Sequence, residues 1–337
     1  MSRRSPNSPN PQRDSTQLLF GIGLVLLSAI FLAIQNVISR VFFVPANVFG
    51  QVAVGGWLSP LLSNIVMLLS LRMGLMALLL AGAAPFLYAK TFVAILQLPT
   101  MPKLMGCVMG SSACLFVGLV ALYLSLSQVA AGIAIATFFI YPAVTALLAW
   151  RFLQQRPHRH QLALMLVILF GVTLTTLSSA ATTSANPLLG TVSGLFAGLN
   201  FGLYGIFAEI VLQSHPSRPS LHPVPFSLIT FAVVSVLSAL VLPLMPPVEV
   251  APSTWQPILL MTLLSATVTV AAYVLNNSGI RLIGASLTAL ISATAPALTA
   301  LFAWIALQEA LQPQQSLGVL VVTAGVAALS LSAKKRS

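Results

Sequence analysis

Apolar runs of roughly twenty residues, separated by short polar or Pro/Gly-rich gaps, follow one another along the whole chain, and a run of that length crosses the ~30 Å hydrocarbon core as a helix. Ten spans are predicted: 18–39, 64–88, 104–126, 130–153 and 161–179, then 188–212, 225–244, 255–276, 284–307 and 316–332. Residues 41–62 are apolar but broken by Pro45, Gly50, Gly55, Gly56 and Pro60, which predicts a long outer connection with an interfacial or re-entrant piece. Residues 1–17 are polar and Pro/Arg-rich and are expected as a disordered tail.

The pattern repeats. Pro142–Trp150 reads PAVTALLAW and Pro296–Trp304 reads PALTALFAW, seven identities in nine at an offset of 154. At that offset the match runs from Ala131/Ala285 to Val172/Val326, with fifteen identities in forty-two positions. Two copies of one five-span unit are therefore expected, 18–179 and 188–332, joined by a linker at 180–187, with a basic C-terminus at 333–337. The fold class is an all-α polytopic membrane protein of two repeats. Because five is odd, directly joined copies enter the membrane in opposite directions, giving inverted repeats.

Composition strengthens this. Hydrophobic residues make up 58% and charged residues 6%, which excludes a soluble globular domain. The net charge of +11 does not indicate nucleic acid, because the bases sit in the gaps between apolar runs, where they orient helices. With the N-terminus inside, Lys90, Lys103, Arg151, Arg156, Arg159, Arg218, Arg281 and both basic termini are cytoplasmic; outside lie Arg40, Glu249 and Glu309. The expected location is the inner or plasma membrane, multi-pass, with both termini cytoplasmic. Cys107 and Cys114 are expected as free thiols within one span.

Inverted helical repeats are the architecture of secondary transporters, with the substrate site near the midplane where the copies meet. Pro142 and Pro296, each in the middle of a predicted span, remove a backbone donor from the carbonyls of Phe138 and Ser292, and are read as kinks and candidate hinges. Gly190, Gly194, Gly198 and Gly202 form a ridge for close helix packing. Polar groups inside spans either bind helices together or line a cavity. Candidates for a neutral, aromatic-walled cavity are Gln35, Asn36, Tyr123, Thr137, Tyr141, Asn200, Tyr204, Tyr273, Asn276, Asn277 and Thr294. Arg72 stands inside the second span, either as a functional charge or snorkelling outward. Glu209, near the inner end of the sixth, is expected to snorkel to the cytoplasmic surface; if it does not, it is a candidate for a proton or cation.

With PAVTALLAWRFLQQRP (Pro142–Pro157), PALTALFAWIALQEAL (Pro296–Leu311) and Arg72 in SLRMGL on the page, the chain resembles the EamA type of the drug/metabolite transporter superfamily. The resemblance implies ten helices around a central cavity and export or uptake of amino acids, related metabolites or drugs. Arg72 is similar to an arginine often found in that family's second helix. The sequence departs from the family at Leu307-Gln308-Glu309, where Leu-Gly-Glu is usual, and at Leu153-Gln154-Gln155, which has no acid.

The expected function is secondary transport of small metabolites such as amino acids or amphipathic compounds, most simply export, by alternating access. A passive channel or a non-transporting scaffold is the alternative. No HExxH, GxSxG or paired acids point to an enzyme. The expected partners are a small-molecule substrate and the bilayer, with a proton as an optional coupling ion and no nucleic acid. No cofactor or metal is expected, and the protein is expected as a monomer or homodimer.

Overall fold

A computed structural model describes residues 11–43, 45–48, 50, 52–59, 61–128, 137–154, 159–177, 187–213, 219–307 and 313–334. The expected linker core at 180–186, the entry to the fourth span at 130–136, residues Gln155, Gln308 and Glu309, the first ten residues and the last three lie outside them.

The described chain is almost all helix, as apolar segments in lipid require, since a helix satisfies its backbone within one segment. Helix α1 is Pro11–Phe43, α2 is Leu62–Leu87, α3 is Thr91–Gln97 and α4 is Pro102–Gln128. Then come α5 (Tyr141–Leu153), α6 (Arg159–Leu177), α7 (Pro187–Leu212), α8 (Pro223–Val241) and α9 (Trp255–Ile283). Helices α10 (Ala285–Ser292), α11 (Ala295–Leu307) and α12 (Pro313–Lys334) complete the order. Among the described residues seven helical stretches are long and apolar enough to cross a membrane, and Thr91–Thr100, Leu162–Gly171 and Ser316–Gly325 are shorter apolar helices. Helix α1 starts at Pro11, inside the segment expected as a tail, and the short α3 fills part of the loop between the second and third predicted spans.

The long connection expected at 41–62 holds a hairpin. Strands β1 (Ala46–Val48) and β2 (Val52–Val54) pair antiparallel, with Asn47 opposite Ala53. Gly56 has φ 67° and the Pro45 ring 2.7 Å from where a Cβ would stand, so the return toward the helices needs glycine. Backbone bonds from Gly56 to Val41 and from Leu58 to Phe42, both 3.0 Å, tie the segment to the end of α1. Phe42, Leu58, Met67, Leu68 and Ile258 then close an apolar cluster over the ends of α1, α2 and α9. At this same end, Asn64 Nδ2 donates to the Glu249 carbonyl at 3.2 Å, and the Glu249 N–H donates to Asn64 Oδ1 at 3.0 Å. At the opposite end Tyr88 stacks on His222, ring centroids 4.1 Å apart. Burial, reinforced by Arg281, holds the His222 imidazole below its ordinary pKa.

The most extensive packing is α4 along α7, α1 along α9, α6 along α12 and α2 along α8. The α4–α7 contact is the most extensive, and the glycines of α7 admit a second close neighbour. A Cβ on Gly194 would overlap the Thr137 hydroxyl. On Gly198 it would stand 2.7 Å from the Phe138 carbonyl oxygen, and on Gly202 2.6 Å from Val144. The ridge therefore receives the chain from 137 to 145 as well as α4, whose own Gly118 lies 2.8 Å, measured from its virtual Cβ, from the Phe201 ring.

Both repeat prolines are displaced from the role expected for them. The helix at 137–138 breaks at a turn over 139–140, and α5 begins at Tyr141, so Pro142 sits in its first turn. Likewise α10 ends at Ser292, a turn covers 293–294, and Pro296 is the second residue of α11. These are breaks between helices, not kinks in continuous ones. A proline there has no intrahelical partner to lose, because first-turn N–H groups have none. The two breaks are separated by the repeat offset of 154.

Gly198→Ala should lower the melting temperature in detergent, by the equivalent of about 1–3 kcal/mol for an overpacked contact against rigid backbone. Gly106→Ala, in α4 with nothing within 4 Å of its virtual Cβ, should leave it unchanged.

Candidate functional site

The polar groups inside the bundle fall into three small networks. In the first, Arg72 of α2, 5% exposed, points into the protein and its Nη2 donates to the Tyr123 hydroxyl of α4 at 3.0 Å. Its Nε has no hydrogen-bond partner. The outward-snorkelling placement is thus excluded; a charge at membrane depth costs about 2.5–3.5 kcal/mol even on the mildest scale, so its retention needs a reason.

The second network joins three helices of the C-terminal half. The Tyr204 hydroxyl of α7 donates to Asn277 Oδ1 of α9 at 3.0 Å, and Asn277 Nδ2 donates to Ser227 Oγ of α8 at 2.8 Å. Asn277 is fully buried. Bonds of this kind are each worth about 0.6–1.7 kcal/mol in a membrane. The third network crosses the helix break. Ser292 donates to Asn276 Oδ1 at 3.1 Å, and the Tyr141 hydroxyl, beside Ser292, donates to the Ala289 carbonyl at 3.3 Å.

Tyr273 of α9 lies within electrostatic range of all three. It is close enough for direct electrostatic interaction with Arg72 and Tyr123, with Tyr204, and with Tyr141. Its ring stands edge-on to Phe231, centroids 5.5 Å apart. A string of rings, Phe138–Phe201 at 4.8 Å, then Phe201–Tyr204 and Tyr204–Phe226 at 6.4 Å each, runs beside these groups. The site is thus an aromatic, hydroxyl- and amide-rich zone holding one cation.

Of the candidates, Arg72, Tyr123, Tyr141, Tyr204, Tyr273, Asn276 and Asn277 come together. The others do not join them. Gln35 donates to Ser39 on its own helix at 2.6 Å, Asn200 to the Phe196 carbonyl at 2.8 Å and Thr294 to the Ile291 carbonyl at 2.8 Å. Asn36 is exposed and binds Thr299 of α11 at 3.1 Å, and Thr137 packs on the glycine ridge. Ser227, Ser292 and the rings of Phe138 and Phe201 escaped the sequence. A hydroxyl or a phenyl among so many in membrane helices carries no positional signal.

Glu209 corrects its expectation. It is 1% exposed, and its Oε2 accepts the Ala285 N–H at 2.7 Å. The carboxylate thereby caps the first turn of α10, where the helix dipole favours a negative charge. Gly284, at φ 82° and ψ 161°, delivers the chain to that cap, in a backbone region open in practice only to glycine. No group of three or more metal-binding side chains occurs among the described residues.

Comparison with known proteins agrees with the architecture. The model of the EamA-like transporter family matches residues 188–331. The chain is 40% identical over 314 residues to the uncharacterized transporter sll1319 of Synechocystis sp., spanning 93% of each. A solved crystal structure shares the fold with a TM-score of 0.67 at 16% identity, over 96% of this chain and 99% of that one.

Gly284→Ala should cost about 1–3 kcal/mol of stability through backbone strain. Its virtual Cβ also lies 3.2 Å from Glu209 Oε1, so the cap is pushed away as well. A melting temperature equal to that of the unmodified protein would show that the Glu209–α10 cap does not hold this corner.

Proposed function

The chain belongs to the EamA-like transporter family, and from that premise we propose that it is a secondary transporter exporting small metabolites, such as amino acids or amphipathic compounds, by alternating access. Its membrane-spanning, transporter-family character is not an enzyme class. The observation that carries the mechanism is the pair of helix breaks at 139–140 and 293–294, related by the repeat offset.

In this proposal α1, α2, α4, α5 and α6 with the turn before α5 form one five-span unit within 18–179. Helices α7, α8, α9, α10 with α11, and α12 form its inverted partner within 188–332. The packing pattern supports the pairing: exchanging the two units turns α1–α9 into α7–α4 and leaves α2–α8 and α6–α12 as they are. Both breaks border the Tyr273 zone, through Tyr141 on one side and Ser292 on the other. A broken helix in each unit can then tilt at one end while the other stays packed, opening the zone to one side at a time. The distribution of basic residues supports cytoplasmic termini, a cytoplasmic segment between α5 and α6, and a plasma or inner membrane as the location.

Counterflow in proteoliposomes preloaded with an amino-acid mixture should show saturable exchange of at least one component. Pro142→Ala and Pro296→Ala, which let the helix run through each break, should slow it by about tenfold while leaving a monodisperse protein, as expected for a hinge. Absence of exchange by folded, inserted protein would overturn the carrier, and unchanged rates in both variants would overturn the hinge.

A further inference from the structure

Arg72 is the part of the zone that the transport cycle above leaves unexplained. Its guanidinium is buried, makes one hydrogen bond to a neutral phenol, and leaves Nε unpaired. The chain has four acidic residues to balance it. Asp14 is near the N-terminus, Glu249 is at the hairpin end, and Glu309 is outside the described residues. Glu209 is committed to the α10 cap. Arg72 therefore forms no ion pair among the described residues.

The groups beside it also have hydrogen-bond donors to spare. The Tyr123 hydroxyl accepts from Arg72 and donates no hydrogen bond within the described residues. The Tyr273 hydroxyl, within electrostatic range of both, makes no hydrogen bond within the described residues. Arg72 Nε–H and the O–H groups of Tyr123 and Tyr273 thus have no acceptor among the described residues. An unpaired buried cation surrounded by unused donors is complementary to an oxyanion.

Resting on the transporter reading, we propose that Arg72, Tyr123 and Tyr273 form an anion subsite that takes the carboxylate of the transported molecule. A carboxylate matches in charge, since one guanidinium balances one negative charge, whereas a phosphate dianion needs further cations that the zone lacks. Its two oxygens can accept from Nε and from the phenols together. The neighbouring rings and the Asn276 amide then face the rest of the substrate. Binding neutralises the buried charge, so the loaded protein crosses between its two states more readily than the empty one, and exchange outruns net efflux.

The test pairs each of several amino acids and short monocarboxylates with its primary amide, and reads both exchange in proteoliposomes and the thermal shift of the protein in detergent. The acids should exchange and raise the melting temperature, and the amides should do both at least about tenfold less well. Arg72→Met should abolish the acid response, with the ligand-free melting temperature equal to or above that of the unmodified protein, because an uncompensated charge has been removed. Arg72→Lys should retain part of the response. A lower ligand-free melting temperature in Arg72→Met would assign Arg72 to helix packing and overturn the subsite. So would amides acting as well as acids, which would leave the transporter intact. Thermal shifts by acids without any exchange would support the subsite and overturn the transporter; neither response would overturn both.

Discussion

The structure depends on how closely the chain at 137–145 lies on the glycine face of α7. No side chain fits between them at Gly194, Gly198 or Gly202. A helix that stops inside a membrane exposes backbone carbonyls and N–H groups, and in hydrocarbon these must be enclosed by protein. The glycines allow that enclosure: the Phe138 carbonyl faces Gly198, and the Tyr141 N lies 3.4 Å from its virtual Cβ. Once the break is tolerated, Tyr141 is aimed at Ala289 and toward Tyr273 instead of continuing a regular spiral. The aromatic zone follows from that contact.

The second break is held differently. Glu209 and Gly284 fix the start of α10, and Ser292 at its end bonds to Asn276. One unit thus uses steric fit and the other a charged cap and an amide to support the same interruption. Among the described residues Arg72 and Glu209 are the two charges placed deep among the helices, and they do different work. Glu209 is satisfied by a helix N-terminus and holds structure; Arg72 is left with an unpaired Nε beside unused phenols.

Much of this was legible in the residues. The apolar runs gave the helices, and the PAVTALLAW and PALTALFAW pair located both interruptions to within three residues of where they occur. The glycine spacing gave the contact face. What could not be read was the consequence of the prolines, because removing one N–H is compatible with a kink or with a fresh helix start, and neighbouring contacts decide between them. Glu209 misled for a related reason: its position near a helix end suggested water, but the Ala285 N–H that receives it is 76 residues away in the chain. Gln35, Asn200 and Thr294 are cavity candidates by sequence because polarity in lipid demands a partner; each has one within its own helix or turn, which composition does not reveal. The hairpin at 46–54 was hidden by a Pro/Gly-rich stretch that fits several loop geometries.

Inversion of the two five-helix units is the central claim, and it has a direct geometric consequence. Arg159 at the start of α6 and Pro313 at the start of α12 are repeat-related by 154 and both exposed, so inversion puts them on opposite sides of the membrane. Single cysteines introduced as Arg159→Cys and Pro313→Cys, with Cys107 and Cys114 replaced by serine, can be probed with a membrane-impermeant maleimide. The account predicts that intact cells label the cysteine at 313 alone, and that the one at 159 reacts only after the membrane is opened. Labelling of both positions from the same side would contradict it.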